Sequence, residues 1–547
     1  MIKMVSARLK GVGRLTKTML TNPKGFFGFI IILFFSILSF AGPLVTPYDP
    51  IKDEALAGDR AAATWMRYLP PLLGGIPSLT ENVVFFKDKS FTDPTSFEEL
   101  NHTQNQHISL RYEPNQGSNT SGPGCISVTF KREETGKTYG DVKLDIWKEA
   151  YFPYTGHPRK FDGLISFLTN GTVTKKTITE KYVNWTTNKV ETRTYNASFF
   201  DAPVNIKIFL ELVDYKRVTI WPVPNFQTQG MTSEGTLDKY IEKWVTSQNT
   251  YIIDSSARWV RDMVKSQTGQ SDPLLALFPL DRLPATYIWG IEITFLDRDC
   301  PDKEVETTLY LDDFGFQFEG TAWGLLGTDQ NGRDIFSQLV YGSRLSLYIG
   351  LLSAILGVVI GLIIGLISGY MGRFIDEILM RFTDMLLVLP SLPLLIILTA
   401  VLGPKLENLI ILLGLLGWMS FARLARSQVL TLRERTFVEA AKAAGAGRAH
   451  IITTHILPNV LPLVYVSIAT SVPGAITAEA ALSFLGFYDP LRMSWGRMLS
   501  DAQMIGEWDN WWWVVPPGLC IALLSMAFIL FGYALDEILN PKLRVRK

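Results

Sequence analysis

Six long apolar runs restrict what this chain can fold into more than any other feature of its 547 residues. The hydrocarbon core of a bilayer is about 30 Å thick and needs about 20 mostly apolar residues in a helix, whose peptide groups bond to one another because lipid offers them no partners. The sequence therefore predicts a polytopic α-helical membrane protein with six transmembrane helices. The runs lie near 25–47, 344–370, 382–402, 408–425, 460–481 and 514–535.

Basic residues predict how these helices are oriented, because loops rich in lysine and arginine stay on the cytoplasmic side. Residues 1–24 carry six basic residues and no acidic one, and further clusters fall in 423–458 and 542–547. We therefore expect a multi-pass protein of the cell (cytoplasmic) membrane with both termini and the 423–458 segment in the cytoplasm. Residues of about 48–340 are expected outside.

Residues 48–326, between the first two apolar runs and here called the insert, are numerous enough to bury a core of their own. Short alternating or apolar runs such as 125–133 and 286–299 are bounded by Gly, Pro, Asn and Asp, which is the pattern of β-strands. Many such strands predict a mostly β extracytoplasmic domain, a β-sandwich of the jelly-roll type. A turn is expected at 310–314, and apolar spacing of three and four residues predicts a helix within 234–265.

Cysteines and sequons of the insert are candidates for covalent modification outside the cell. Cys125 and Cys300 lie in it, whereas Cys520 lies in the last apolar run. We expect a disulfide between Cys125 and Cys300, which an oxidising compartment permits, and two separate buried thiols are the alternative. Five Asn-x-Ser/Thr sequons predict N-glycosylation of the insert. They are Asn101, Asn119, Asn170, Asn184 and Asn196.

A polar and basic segment, EAAKAAGAGRAHIITTHILPN, occupies 439–459 between two apolar runs. Its alanines suit a short helix that another molecule approaches closely, Gly445 ends or bends that helix, and Pro458 suits the first turn of the next one. The segment resembles the EAA loop of ABC-importer permeases, and its end is similar to the dipeptide/oligopeptide branch. The resemblance implies a coupling helix that sits in a cleft of a cytoplasmic ATPase; an ordinary amphipathic surface helix is the alternative. The implied coupling residues are Glu439, Ala440, Ala441, Ala444, Gly445, His455, Ile456, Leu457 and Pro458.

Other motifs of that family border the apolar runs. They are Asn22-Pro23, 327–334 (GTDQNGRD), 341–347 (YGSRLSL), 483–486 and 494–496. The resemblance covers about 1–50 and 320–547, and the insert is the departure from it. Together with the apolar runs and the basic clusters, it predicts a cytoplasmic basic tail (1–24), a first transmembrane helix (25–47), the extracytoplasmic β-rich insert (48–326), and a permease core (327–547) with five transmembrane helices and the coupling loop (about 423–458).

The resemblance implies the permease subunit of an ATP-driven, solute-binding-protein-dependent importer of peptides or oligosaccharides. Its implied partners are a second, related permease subunit in a heterodimer, two cytoplasmic ABC ATPase subunits, and an extracytoplasmic solute-binding protein. Separately from the resemblance, we expect the insert to dock or scaffold the solute-binding protein. The sequence contains no GxxxxGK[ST] loop, so we expect no cofactor in this chain, with ATP and Mg bound by the ATPase subunits. We also expect no metal site, no enzymatic activity and no nucleic-acid partner.

An ABC-independent channel or secondary transporter with a sugar-binding external domain is the alternative function. Such proteins tend to carry ionisable residues within their spans, and here few candidates occur. Glu479, near the end of one apolar run, has three possible roles. These roles are pairing with an arginine of the partner permease, lining the pathway, and simply reaching the membrane interface. The last is the default expectation.

Overall fold

The computed structural model describes residues 21–54, 56–70, 75–86, 91–114, 124–133, 137–184, 189–223, 250–297, 303–506 and 510–539. Its contacts divide the chain into two compact units. One comprises Met1–Leu56 with Gly324–Lys547, and the other comprises Ala57–Trp323. Strands occur in the second unit, and the long apolar helices occur in the first.

The helices in chain order are α1 (Pro23–Val45), α2 (Pro94–Glu98), α3 (Arg258–Thr268), α4 (Pro273–Leu277), α5 (Ile335–Met371), α6 (Arg373–Val388), α7 (Ser391–Leu402), α8 (Leu406–Gly417), α9 (Met419–Arg433), α10 (Thr436–Ala443), α11 (Arg448–Ile451), α12 (Leu457–Phe484), α13 (Trp495–Met504) and α14 (Trp511–Leu539), with a 3-10 helix at Thr64–Tyr68 and a π-helical turn at Ile452–Ile456. The strands are β1 (Val83–Val84), β2 (Asn101–His102), β3 (Ile108–Glu113), β4 (Cys125–Arg132), β5 (Gly140–Phe152), β6 (Lys160–Gly171), β7 (Val173–Asn184), β8 (Lys189–Phe200), β9 (Val204–Leu212), β10 (Lys216–Val223), β11 (Thr250–Asp254), β12 (Ala285–Asp297) and β13 (Val305–Glu319).

Antiparallel pairing builds two large sheets in the second unit. One has the order β11-β6-β13-β4-β3, with β1 also pairing with β13, and the other has the order β10-β9-β12-β5-β2. Strands β7 and β8 pair with each other as a separate hairpin. Most neighbours within each large sheet are far apart in the sequence, so the sheets depend on long-range pairing rather than on local hairpins.

Side-chain alternation explains how these sheets form a core. Every second residue of β9 from Val204 to Leu212 is buried, as expected of a strand with one face against apolar neighbours. Trp289 of β12 stacks on Phe316 of β13 with ring centroids 3.9 Å apart, so the two sheets contact each other. Both contribute to a single cluster of buried side chains, and full burial of one large apolar side chain contributes about 1.5–3 kcal/mol.

The prediction of a turn at 310–314 is wrong. These residues lie inside β13, whose register with β6 shifts between Asp312 and Gly315. Asp313 has a φ of 51°, and its carboxylate accepts a hydrogen bond of 3.0 Å from the hydroxyl of Ser166. The irregularity is a β-bulge, which interrupts pairing for a few residues and leaves the strand intact on either side.

The helix expected within 234–265 is only partly correct. Residues 224–249 lie outside the described residues, Thr250–Asp254 form strand β11, and the helix begins at Arg258. β11 pairs along its full length with β6. That partner is about 90 residues earlier in the chain, so local apolar spacing carries no sign of it.

Glu319 is a fully buried acid at the end of β13. The ammonium nitrogen of Lys160 lies 3.1 Å from its Oε1, and Asp162 follows two residues later on the same strand as Lys160. Burial, together with the nearby carboxylate of Asp162, raises the pKa of Glu319 to about 8. The side chain is thus protonated in the folded protein over a pH range in which an ordinary glutamate is charged.

We expect the protein to lose stability as the pH rises from about 4.5 to about 8, because folding retains the Glu319 proton over this interval and unfolding releases it. A difference of one unit between the two pKa values corresponds to about 1.4 kcal/mol, so the loss is expected to reach a few kcal/mol. The variant Glu319→Gln should show a flatter dependence. Thermal unfolding of both proteins across this pH range measures the effect, and equal slopes would contradict it.

Four helical stretches of the described residues are long and apolar enough to cross a membrane: α1, α5, the continuous stretch Arg448–Phe484, and α14. Two further pairs meet the same criterion only as pairs, since α6 and α7 are bent by 87° and α8 and α9 by 42°. Pro390 lies at the first break, where it disfavours helical geometry for the preceding residue. The six expected transmembrane helices are therefore found only if each bent pair counts as one span.

Small residues let α5 and α9 approach closely. A Cβ built on Gly361 would lie 2.6 Å from the carbonyl oxygen of Trp418, and one built on Gly365 would lie 2.6 Å from the Cβ of Ala425. A Cβ on Gly369 would meet Val429 at 2.8 Å. Glycines spaced four residues apart thus form the α5 surface against α9, as in other close contacts between membrane helices.

The variant Gly365→Ala is expected to destabilise the protein by about 1–3 kcal/mol, because the added methyl group overpacks this contact. Gly474→Ala in α12 is a matched control, since a Cβ there would meet nothing within 4 Å. That control should be neutral or slightly stabilising, because alanine favours a helix over glycine by up to about 1 kcal/mol. Thermal unfolding in detergent compares the two variants, and equal effects would exclude this packing role for Gly365.

Candidate functional site

The segment 436–458 forms a short helix, a glycine turn and the start of a long helix. Helix α10 ends at Ala443, and Gly445 follows with a φ of 83°, which glycine adopts without strain. The amide of Gly445 donates to the carbonyl of Lys442 at 3.0 Å, and the amide of Ala446 donates to that of Ala441 at 3.0 Å. This pair of hydrogen bonds is a Schellman motif, which satisfies the last carbonyl groups of a helix.

One side of the segment is anchored in the first unit. Val438, Ile451 and Ile456 are buried in a cluster with residues of α5 and α9, and Ala441 and Ala446 pack against the same cluster. Phe437 and His455 also approach each other, with ring centroids 6.4 Å apart. The two halves of the segment therefore pack together as one surface element rather than as a free loop.

The other side of the segment is open to solvent and mostly small. Among the nine sequence-predicted coupling residues, Glu439, Ala440, Ala444, Gly445 and Pro458 are exposed, Ala441, His455 and Leu457 are half-buried, and Ile456 is buried. Ile456 therefore supports the segment from within and is not placed to contact a partner directly.

Phe437 is a surface residue that the sequence reasoning did not select. It is 42% exposed, in the first turn of α10. A large aromatic ring that remains exposed beside a row of alanines is a common feature of binding surfaces. The sequence feature that could have identified Phe437 is its position directly before Val438, since the two residues form an apolar pair at the start of the short helix.

Pro458 lies in the first turn of α12, as expected, and α12 continues without a break from the turns before it. Helical structure begins at Arg448, passes through the π-helical turn Ile452–Ile456 and continues to Phe484. A proline within a helix removes one hydrogen bond and crowds the carbonyl four residues before it. The wider π-helical turn directly before Pro458 accommodates this, so the segment consists of a short helix, a glycine turn and one long helix.

One ion pair joins α9 to the start of α6, and hydrogen bonds connect both helices to the end of α5. The guanidinium of Arg426 donates two hydrogen bonds of 2.6 Å to the carboxylate of Asp376 in α6. The same carboxylate accepts from the hydroxyl of Ser368 in α5. Arg433 donates to the carbonyl of Gly369 at 3.4 Å. A bidentate arginine–carboxylate pair holds its two partners in a defined geometry, so α9 and the start of α6 are fixed to each other at this point.

The default expectation for Glu479 is wrong. Its side chain is 1% exposed, and its Oε1 accepts a hydrogen bond of 2.7 Å from Ser483 one turn later. It neither reaches an interface nor lines an open pathway within the described residues. Small neighbours on α12 and α13 enclose it, since a Cβ built on Gly496 would lie 2.7 Å from the carbonyl of Ala480.

The motif at 327–334 builds a buried polar cluster before α5. The carboxylate of Asp329 accepts hydrogen bonds from Arg333 at 2.8 Å and from Gln338 at 2.7 Å. Asp334 accepts from the amide of Ser337 at 2.7 Å and so caps the start of α5. Arg333 also lies 3.6 Å from Asp501, whose pKa is raised by burial. These motif residues therefore have a structural role in positioning α5.

The remaining predicted sites lie in the insert. Cys125 is buried, whereas Cys300 lies outside the described residues, so the disulfide stays a prediction. Asn101 and Asn170 are exposed, Asn119 lies outside the described residues, and Asn184 and Asn196 belong to β7 and β8. Within the described part of the chain, no group of three or more His, Cys, Asp or Glu side chains is arranged to hold a metal ion.

Comparisons with known proteins concern the membrane part. Residues 361–545 match the family described as binding-protein-dependent transport system inner membrane component. The chain is 42% identical over 219 residues to the dipeptide transport system permease protein DppC of Alkalihalophilus pseudofirmus, covering 40% of this chain and 72% of that protein. It is 43% identical over 230 residues to the protein of the same name from Escherichia coli, covering 42% and 76%. A putative peptide transport system permease protein of Brucella suis is 40% identical over 222 residues, covering 40% and 74%.

Proposed function

This chain belongs to the family of binding-protein-dependent transport system inner membrane components, and we propose that it imports peptides as one permease subunit of an ATP-driven transporter. It is a multi-pass membrane protein of the dipeptide/oligopeptide branch of ABC permeases and a transport subunit rather than an enzyme. Peptides are the proposed cargo because the relatives carry that description in their names, and this favours them over oligosaccharides.

The observation that supports this proposal most directly is the two-sided segment 436–458. Its buried side is anchored among α5 and α9, and its open side presents Phe437, Glu439 and two alanines. The alanines permit close approach, the aromatic ring offers apolar area that a partner can bury, and the glutamate carries a charge that can orient the partner. We assign this open side, with Gly445 at its end, to contact with an ATPase subunit.

The proposed mechanism is alternating access driven from this segment. Closure of the ATPase subunits displaces α10, and the shared cluster carries the displacement to α5 and α9. The Arg426–Asp376 pair couples α9 to α6, so the helices move together as a rigid body. Such a movement opens the helices alternately to the two sides of the membrane.

Membership of this family implies ATPase and substrate-binding-protein partners. We propose that the full assembly has a second, related permease subunit and two ATPase subunits, which bind ATP and Mg, while this chain carries no cofactor. Both termini and the 423–458 segment are proposed to face the cytoplasm, following the distribution of basic residues.

The insert is proposed to be an extracytoplasmic β-sandwich that docks or scaffolds the solute-binding protein. Its two large sheets share one buried core, which supports a sandwich. The burial of Glu479 gives no support to an ABC-independent channel or secondary transporter, since that side chain does not line a pathway in this chain.

Reconstitution tests the proposed function. The chain is co-expressed with its partner permease, ATPase subunits and solute-binding protein, and uptake of labelled di- and oligopeptides into proteoliposomes is measured with and without ATP. We expect peptide uptake that requires both ATP and the binding protein. Uptake that proceeds without any ATPase subunit would overturn the proposal. Uptake of oligosaccharides but not of peptides would overturn the assignment of peptides as the cargo.

A further inference from the structure

A cleft of about 490 Å³ lies beside the first turns of α5. One wall is formed by Tyr341, Arg344, Leu345 and Tyr348, whose spacing of three and four residues places them on one face of the helix. The other walls come from residues 49–51, from the first two residues of α8, and from 491–493. All these residues belong to the first unit, and the volume lies in the range of small-molecule sites.

The opposite face of α5 packs against other helices, which leaves the residues of this wall uncovered. A Cβ built on Gly342 would lie 2.7 Å from the ring of Trp495, and one built on Gly350 would lie 2.7 Å from Ile476. Ser346, midway between these glycines, is also buried. Helix α5 therefore packs through its small residues, and its large polar residues are left facing the cleft.

Charges of both signs line the cleft. Within the described part of the chain, the exposed guanidinium of Arg344 has no hydrogen bond or ion pair. Arg492 lies 3.9 Å from Glu407 and 3.7 Å from Asp489, which are long contacts for ion pairs. The Glu407 side chain is 68% exposed. One unpaired cation and one accessible carboxylate thus border a single concave surface.

Apolar side chains also line the cleft. Ile51, Leu345, Leu406 and Met493 are part of the lining. A ligand that fits this surface carries an anionic group, a cationic group and an apolar part between or beside them. A ligand with anionic groups alone is opposed by the carboxylate of Glu407.

We propose that this cleft binds short peptides by their two ends, with Arg344 on the terminal carboxylate and Glu407 on the terminal ammonium. The guanidinium geometry matches a carboxylate through two parallel hydrogen bonds. The apolar lining receives a side chain of the peptide. This inference rests on the proposed function as a peptide permease and names a site on this subunit at which its cargo is held.

A binding experiment on the purified transporter complex, without its solute-binding protein, tests the site. The probes are alanyl-phenylalanine, its C-terminal amide, and dihexanoyl phosphatidylethanolamine, which shares the two opposite charges. Stabilisation by each probe is followed as a rise in Tm with concentration, since a ligand that binds only the folded state stabilises it. The dipeptide is expected to bind at least about ten-fold more tightly than the amide, because the amide lacks the carboxylate that accepts charge-assisted hydrogen bonds from Arg344.

Two variants complete the test. Arg344→Gln should remove the preference for the free dipeptide over its amide. Arg381→Gln changes an arginine that is 81% exposed on α6 and does not line the cleft, so it should retain the preference. An unchanged preference in Arg344→Gln, or a response to the lipid alone, would overturn the inference.

Uptake assays separate this inference from the proposed function. Reduced ATP-driven peptide uptake in Arg344→Gln, with normal uptake in Arg381→Gln, supports the cleft. Normal uptake in both variants would exclude the cleft as a binding site for the transported peptide, and the proposed transporter function would be unaffected. Absence of ATP-driven peptide uptake in the unmodified complex would instead remove the proposed function itself.

Discussion

Replacing Ala440 by tryptophan is expected to abolish most ATP-driven uptake while leaving the subunit folded. Ala440 is exposed on α10, and a bulky ring there blocks the close approach that the alanines allow. Disruption at the centre of an interface commonly costs 2 kcal/mol or more, which corresponds to a loss of at least about ten-fold in binding. Uptake, ATPase activity and co-purification with the ATPase subunits are measured together.

A folded but uncoupled protein is the outcome that separates a coupling role from a structural one. Exposed substitutions away from special features change stability by about 0.5 kcal/mol or less, so the Tm of Ala440→Trp should remain close to that of the unmodified protein. Ala400→Trp is the matched control, an exposed alanine on α7 outside the coupling segment. Normal uptake and ATPase binding in Ala440→Trp would exclude this surface as the ATPase contact.

Loss of Arg132 is expected to destabilise the insert by about 3–5 kcal/mol. Arg132 in β4 and Asp297 in β12 form a fully buried ion pair between the two sheets. Arg132 also donates to the carbonyl of Lys303 at 2.9 Å, and Asp297 accepts from the amide of Tyr139 at 2.8 Å. Arg132→Met leaves the carboxylate buried without its partner, and an uncompensated buried charge causes losses of this size.

Two comparisons show whether burial is the cause. Lys131→Met removes one partner of the neighbouring pair with Glu304, whose atoms lie 3.2 Å apart but whose side chains are both more than half exposed. That variant should change stability far less than Arg132→Met, because solvent screens an exposed ion pair. The double variant Arg132→Met, Asp297→Leu should recover much of the loss, because no charge remains buried. Thermal unfolding measures all three, and equal effects of Arg132→Met and Lys131→Met would contradict this account.

The candidate coupling site shows where prediction from the sequence succeeds and where it stops. The end of α10 at a glycine is predictable, because positive φ is a property of the residue itself. The burial of Ile456 and the exposure of Phe437 are not, because each depends on how the segment rests on α5 and α9. Likewise, the sequence predicts that Glu479 is an acid at the membrane interface, whereas the packing of its helix buries it.

The sequence by itself determined the apolar runs, the clusters of basic residues and the glycine turn, since each is a property of residues that are close together in the chain. Only the tertiary structure decided which strands pair, where β13 bulges and how α6 and α7 bend. It also brought Arg344 and Glu407, 63 positions apart in the chain, to one cleft. The physical reason is that hydropathy and backbone preference are local properties, whereas pairing, burial and cavities depend on contacts between distant residues.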